Sequence, residues 1–215
     1  MRLHGLLAAM ALVLGAPGAQ AAIIYDLSAT HVYTTDVAGA TTINFNDGGC
    51  GTYVSCTGDY LITSGNLAGR YASPYGISDR FLSVPRDRSN NIQDKVTLVL
   101  DDDYDYYGLY WGSVDSYNSI LFYLDGALVD SFTGSDLGPL LANGGQASWA
   151  SNRFVNFFFT EGSLFDTVVL ASNNYAFESD NHAYGRIHVP EPATLLLFAV
   201  GLVGLWVSRH KVQHH

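Results

Sequence analysis

Between residues 22 and 189 the chain never sustains a helical repeat. Apolar residues come in short runs rich in Val, Ile, Thr, Tyr and Phe, each broken by Gly, Asn or Asp. A helix needs an apolar stripe recurring every three to four residues over about a dozen positions, whereas a strand needs only a few pleat-compatible side chains. This pattern restricts the body to an all-β architecture. Strands are predicted over 23–27, 42–45, 51–55, 60–63, 80–84, 95–100, 106–111, 119–124, 127–132, 153–160, 167–171, 175–178 and 183–188. The sharpest local signal is a hairpin: Ile120, Phe122 and Leu124 alternate with Leu121 and Tyr123, Asp125-Gly126 follows, and Leu128 and Phe132 return. Asp-Gly between apolar strands favours a type I′ turn, in which both central residues take positive φ. So many short strands at this spacing build an antiparallel β-sandwich or jelly roll. The body is one domain's worth of chain, without a solenoid repeat or a long linker.

Two segments stand outside this pattern. Residues 1–21 open with Met1-Arg2-Leu3-His4, run apolar from Leu6 to Leu14, break at Pro17-Gly18 and end in Ala19-Gln20-Ala21, an A-x-A cleavage site. They have the form of a signal helix removed by signal peptidase after Ala21, which makes the remaining chain an exported one. Residues 193–207 form a second apolar run that ends in Ser208-Arg209-His210-Lys211. At ~1.5 Å per residue this helix spans roughly 22 Å, short of the ~30 Å hydrocarbon core, so it is a marginal transmembrane anchor. Arg209 and Lys211 fit the cytoplasmic side. Pro190 and Pro192 cannot continue a helix, which leaves the residues around them extended and open to a protease.

Val189-Pro190-Glu191-Pro192-Ala193-Thr194, the apolar run containing Gly201 and Gly204, and the basic end together resemble a PEP-CTERM sorting signal, the C-terminal tag of bacterial exosortase substrates. The basic end is less arginine-rich than usual for that pattern. The resemblance implies export in a Gram-negative bacterium, transient anchoring in the inner membrane, and processing by an exosortase near Pro190, Glu191 and Pro192. Release to the cell surface or an extracellular polysaccharide matrix would follow. The chain then divides into a signal peptide (1–21), a β-sandwich ectodomain (22–189) and a sorting signal (190–215). Within the body, Tyr107-Gly108-Leu109-Tyr110-Trp111-Gly112-Ser113-Val114-Asp115-Ser116-Tyr117-Asn118 is similar to a block in a group of exosortase-dependent surface proteins, as is Tyr175-Ala176-Phe177-Glu178-Ser179-Asp180-Asn181. That similarity implies a β-sandwich and supplies no catalytic residues.

Charge is segregated. Seven of the ten Lys and Arg, and all twenty Asp and Glu, fall within residues 22–192, a net of about −13. Nucleic acid is a poor partner for such a body, and cations or neutral polymers are better ones. Cys50 and Cys56 are the only cysteines. Export, even count and close spacing favour a disulfide, which would contribute about 2.4 kcal/mol through loop entropy.

Catalytic motifs are absent: there is no G-x-S-x-G, H-E-x-x-H, P-loop or G-x-G-x-x-G. The densest acidic cluster is Asp101-Asp102-Asp103-Tyr104-Asp105. Asp101, Asp103 and Asp105 are either an exposed turn or oxygen ligands for a structural Ca²⁺. Glu178, Asp180 and Asn181 form a second oxygen-rich patch that turns a strand or, by analogy with jelly-roll carbohydrate modules, shares such an ion. Aromatics crowd the same region. Leu109 and Trp111 suit the core, whereas Tyr104 and Tyr117, set among Asp and Asn, fit either a core edge or a face on which sugar rings stack. The body is accordingly expected to be non-enzymatic, structural or adhesive, with weak contacts to extracellular polysaccharide. The alternative is a glycosidase pairing an Asp with Glu161 or Glu178 across a cleft.

Overall fold

The computed structural model describes residues 23–87, 94–160 and 162–187. The signal segment 1–21, the Pro190-Glu191-Pro192 motif, residues 193–207, Glu161 and His188 lie outside the described residues.

Two antiparallel sheets pack face to face. The larger joins β1 (Ile23–Leu27), β10 (Arg153–Phe159), β7 (Tyr106–Gly112), β12 (Phe177–Gly185), β5 (Phe81–Val84) and β4 (Leu61–Thr63) in that spatial order, with β2 (Thr41–Ile43) also paired to β12. The smaller runs β3 (Ser55–Gly58), β6 (Asp94–Tyr104), β11 (Phe165–Ser172), β8 (Asn118–Leu124) and β9 (Ala127–Thr133). A single 3₁₀ turn at Gly134–Leu137 is the only helical element among the described residues. The sandwich expected from the strand pattern is therefore the fold.

The hairpin β8–β9 closes as expected. Leu124 pairs with Ala127, and φ is +50° at Asp125 and +79° at Gly126, the geometry of a type I′ turn. In β6, Val96, Leu98 and Leu100 point into the core while Lys95, Thr97 and Val99 point away, the period of two that a one-sided sheet requires. By contrast, every residue of β7 is buried. Its inward side chains Tyr107, Leu109 and Trp111 join the main core, and its outward Tyr106 and Tyr110 join a second cluster with Phe154 and Ala183. Loops carrying Tyr33, Val37, Ala40 and Ile77 cover that outer face. A strand buried on both sides reads as continuous apolar sequence, which is why β7 lacks alternation. Leu109 and Trp111 are core residues, as expected.

Several strand boundaries differ from the sequence expectation: β6 runs on to Tyr104 and β11 starts at Phe165, and three others change for local reasons. Residues predicted as two strands around 175–188 form one, β12, whose register slips between Asp180 and Ala183 at a bulge where Asn181 has φ +48°. The strand expected over 42–45 stops at Ile43, because Phe45 takes φ +55° and leaves the extended region. The strand expected over 51–55 begins at Ser55, since residues 50–54 form the turn of a disulfide ring.

Cys50 and Cys56 are bonded, with Cα atoms 6.3 Å apart. The ring drives Tyr53 into the interior as a plug. Tyr53 Oη, Tyr107 Oη and His182 Nδ1 lie 3.0 Å from one another, and His182 Nε2 lies 2.9 Å from Ser179 Oγ. Burial pushes His182 down to about 3, so the imidazole is neutral. With Nδ1 as the acceptor, one tyrosine donates to the ring, the other donates to the first, and Nε2–H donates to Ser179. All these protons find acceptors, as a fully buried polar network requires.

Candidate functional site

At the end of the larger sheet where β7 finishes and β12 begins, the outer face opens into a pocket of about 800 Å³. Three loops wall it, over residues 66–72, 113–117 and 143–146, and residues 174–178 complete it. Beside the pocket, Gly112 lets the loop at Pro74 lie directly on the sheet: a Cβ there would lie 2.4 Å from the Pro74 Cβ. Gly144, at φ +67°, approaches Asp115 so closely that a Cβ would lie 2.3 Å from Oδ1. The 143–146 loop is tied to the 113–115 segment by the Gly144 N–H, which donates to the Val114 carbonyl at 2.9 Å. Behind both loops Asn152 acts as a staple. Its Oδ1 accepts from the Ser113 and Tyr75 N–H groups, and its Nδ2 donates to the Gly145 and Ser148 carbonyls.

Glu178 lies at the pocket wall, 2% exposed, on the outward side of β12. The Ala72 N–H donates to its Oε1 at 2.8 Å and the Ser113 hydroxyl donates to its Oε2 at 3.2 Å. Burial pushes its carboxyl up to about 7; the two hydrogen bonds oppose that shift and the charge of Asp115 adds to it. Asp115 is half-buried and also raised, again by burial, against the pull of its hydrogen bond from Tyr117. The Tyr117 hydroxyl sits 2.7 Å from Asp115 Oδ2 and 2.8 Å from the Tyr175 carbonyl, two acceptors for one proton. Arg70 is the one cationic side chain among the lining residues, and its guanidinium donates to the Asp87 carboxylate and the Arg86 carbonyl. Asn66, Asn143, Asn174 and Gln146 add amides, and Tyr71, Tyr117 and Tyr175 add rings.

Of the residues singled out from sequence, Glu178 and Tyr117 meet in this pocket, and the others lie elsewhere. Tyr104 stands at the end of β6 in the other sheet, where it donates to Asp101 Oδ1 at 2.8 Å and packs edge-on against Tyr184. Asp101, exposed, and Asp103, half-buried, lie within the last residues of β6, in a strand and not in a turn. Asp105 is buried where the chain crosses between sheets, and its Oδ1 accepts from the Ile187 N–H at 2.5 Å. Asp180 is buried beside Asn181; its Oδ1 has no hydrogen-bond partner among the described residues, and burial pushes the carboxyl up to about 7. No three of Asp101, Asp103, Asp105, Glu178 and Asp180 converge, nor does any group of three or more His, Cys, Asp or Glu among the described residues. Ser113 and Asp115 lie within the 107–118 block, which marks neither as a site residue, and the amides come from loops that carry no motif.

Comparison with known proteins speaks to the C-terminal end. Residues 188–211 match the family model for the PEP-CTERM protein-sorting motif. The chain therefore carries the sorting signal of exported proteins that an exosortase processes. No curated protein matches the chain, and no solved structure does. Among the described residues no helix is long and apolar enough to cross a membrane.

Proposed function

We propose that this is a non-enzymatic surface or matrix protein of a Gram-negative envelope, whose β-sandwich binds extracellular glycan through the pocket at Glu178 and Tyr117. Signal peptidase and an exosortase act on its two ends, and the C-terminal segment holds it in the inner membrane only until sorting. The observation that carries the binding role is the lining itself: two carboxyls, four amides and three tyrosine rings around a cavity of about 800 Å³. Carboxyls and amides meet sugar hydroxyls, rings meet the apolar faces of pyranoses, and the volume falls within the usual span of small-ligand sites. Glycan-array binding by the full chain in detergent tests this. Selective retention of oligosaccharides, lost in the Tyr117→Ala variant, is expected; an array without signal would leave only a structural coat.

A glycosidase reading draws on one observation, that Glu178 holds its proton near neutrality and shares the pocket with Asp115. Such a pair could divide acid and base roles. Both Glu178 oxygens are engaged by the fold, however, which favours binding. Release of reducing ends from a polysaccharide by wild type, but not by Glu178→Gln, would replace the binding role with a hydrolytic one.

A further inference from the structure

The glycan reading leaves the class of sugar open, and the donor and acceptor balance of the pocket narrows it. The Tyr117 hydroxyl has one proton and two oxygens in reach, Asp115 Oδ2 at 2.7 Å and the Tyr175 carbonyl at 2.8 Å. Whenever that proton turns to the carbonyl, Asp115 Oδ2 faces an oxygen lone pair at contact distance. At this spot one proton serves two acceptors. Positive charge is scarce there as well. Asp115 and Glu178 both line the cavity, and the terminal nitrogen of the one lining cation, Arg70, is already engaged with the Asp87 carboxylate and the Arg86 carbonyl.

We propose that the pocket selects a non-acetylated amino sugar, whose primary ammonium sits against Asp115 Oδ2 and supplies the protons that this spot lacks. An ammonium brings three donors and a charge; an N-acetyl group brings one donor, a carbonyl acceptor and no charge. A charge-assisted bond to a partly buried carboxylate is stronger than a neutral one and discriminates accordingly. Burial has already raised both carboxyls, so their anionic forms are poorly solvated and gain most from a bound cation. The Glu178 oxygens, held by Ala72 and Ser113, keep their place on the wall and contribute field, not a direct contact.

This inference rests on the glycan reading, and one titration separates the two. Full-length protein in detergent is titrated calorimetrically with a glucosamine tetramer, its fully N-acetylated counterpart, a neutral glucose tetramer and a tetralysine peptide. The glucosamine tetramer is expected to bind at least tenfold more tightly than either uncharged tetramer and than tetralysine, and to weaken as salt rises. Asp115→Asn should abolish that preference. Tyr117→Phe, which removes the competing hydroxyl and leaves Asp115 in place, should keep it within about threefold. Equal affinity for all three sugars would overturn the amino-sugar assignment and leave the glycan reading standing. Binding of tetralysine as tight as glucosamine would overturn it in favour of a peptide ligand. No sugar binding would overturn both readings. Were Asp115→Asn to unfold, loss of the preference in Tyr117→Phe would still count against the proposal, and its retention would still support it.

Discussion

Three buried ionisable side chains give this fold an unusual dependence on pH. Glu178 and Asp180 are both pushed up to about 7, so the folded state holds their protons more tightly than the unfolded chain does. Their contribution is fully present below their unfolded pKa values and disappears as pH rises through about 7. His182 works in the other direction. Pushed down to about 3, it resists protonation in the fold, so its contribution is present above its unfolded value near 6.5 and is lost on acidification. Between pH 5 and 8 the two carboxyls outweigh the imidazole, leaving a net loss of roughly 3 kcal/mol. Denaturant melts at pH 5 and pH 8 should show the protein less stable at pH 8, and Asp180→Asn should remove most of the difference, because the imidazole then nearly cancels Glu178. A stability that climbs steadily from pH 5 to 8 would contradict the assignment of both carboxyls. Asp180 is the cleaner target, since its Oδ1 has no hydrogen-bond partner among the described residues to lose.

Among the structural elements, the disulfide ring and β7 show how short segments hold the sandwich together. The ring of Cys50–Cys56 fixes the loop that delivers Tyr53 to Tyr107 and His182, and Thr52 Oγ1 lies 2.6 Å from Tyr184 Oη on the same strand as His182. Opening the ring frees seven residues in the unfolded chain and costs about 2.4 kcal/mol on loop entropy. The Cys50→Ser/Cys56→Ser double variant should therefore lose about that much by denaturant titration. A further loss of about 1–3 kcal/mol is expected if Tyr53 leaves the network and its partners remain buried. An unchanged midpoint would mean the loop is held by packing alone. Strand β7 supplies the scaffold, with one face in the core and the other under the loops. Its last residue, Gly112, is where the loop at Pro74 packs onto the sheet.

For the whole chain, delivery and the proposed binding use different residues. The motif matched at residues 188–211 marks the protein for sorting, and the pocket is lined by residues between 66 and 178 of the described body. Deleting Pro190–Glu191–Pro192, or the host exosortase, should leave the protein in the cell envelope with the proposed glycan affinity intact. Equal release to the medium from both strains would defeat the sorting role, and lost affinity would tie the two functions together. Much of this organisation could be read directly from the residues. Period-two runs in β6 and β8, the Asp125-Gly126 turn, the cysteine pair and the sorting signal are all local patterns whose physics acts within a few positions. The acidic run at 101–105 misled, because four carboxylates look like a solvated turn while the strand continues through Asp101, Asp102 and Asp103 to Tyr104 and Asp105 is buried beyond its end. The pocket was legible only in fragments. Glu178 and Tyr117 stood out as polar residues beside strands, but what makes a site of them is the Ala72 N–H, 106 residues from Glu178 along the chain, and a loop around Gly144 that closes on Asp115. Such contacts follow from how two sheets and their covering loops stack, and no short-range pattern encodes that stacking.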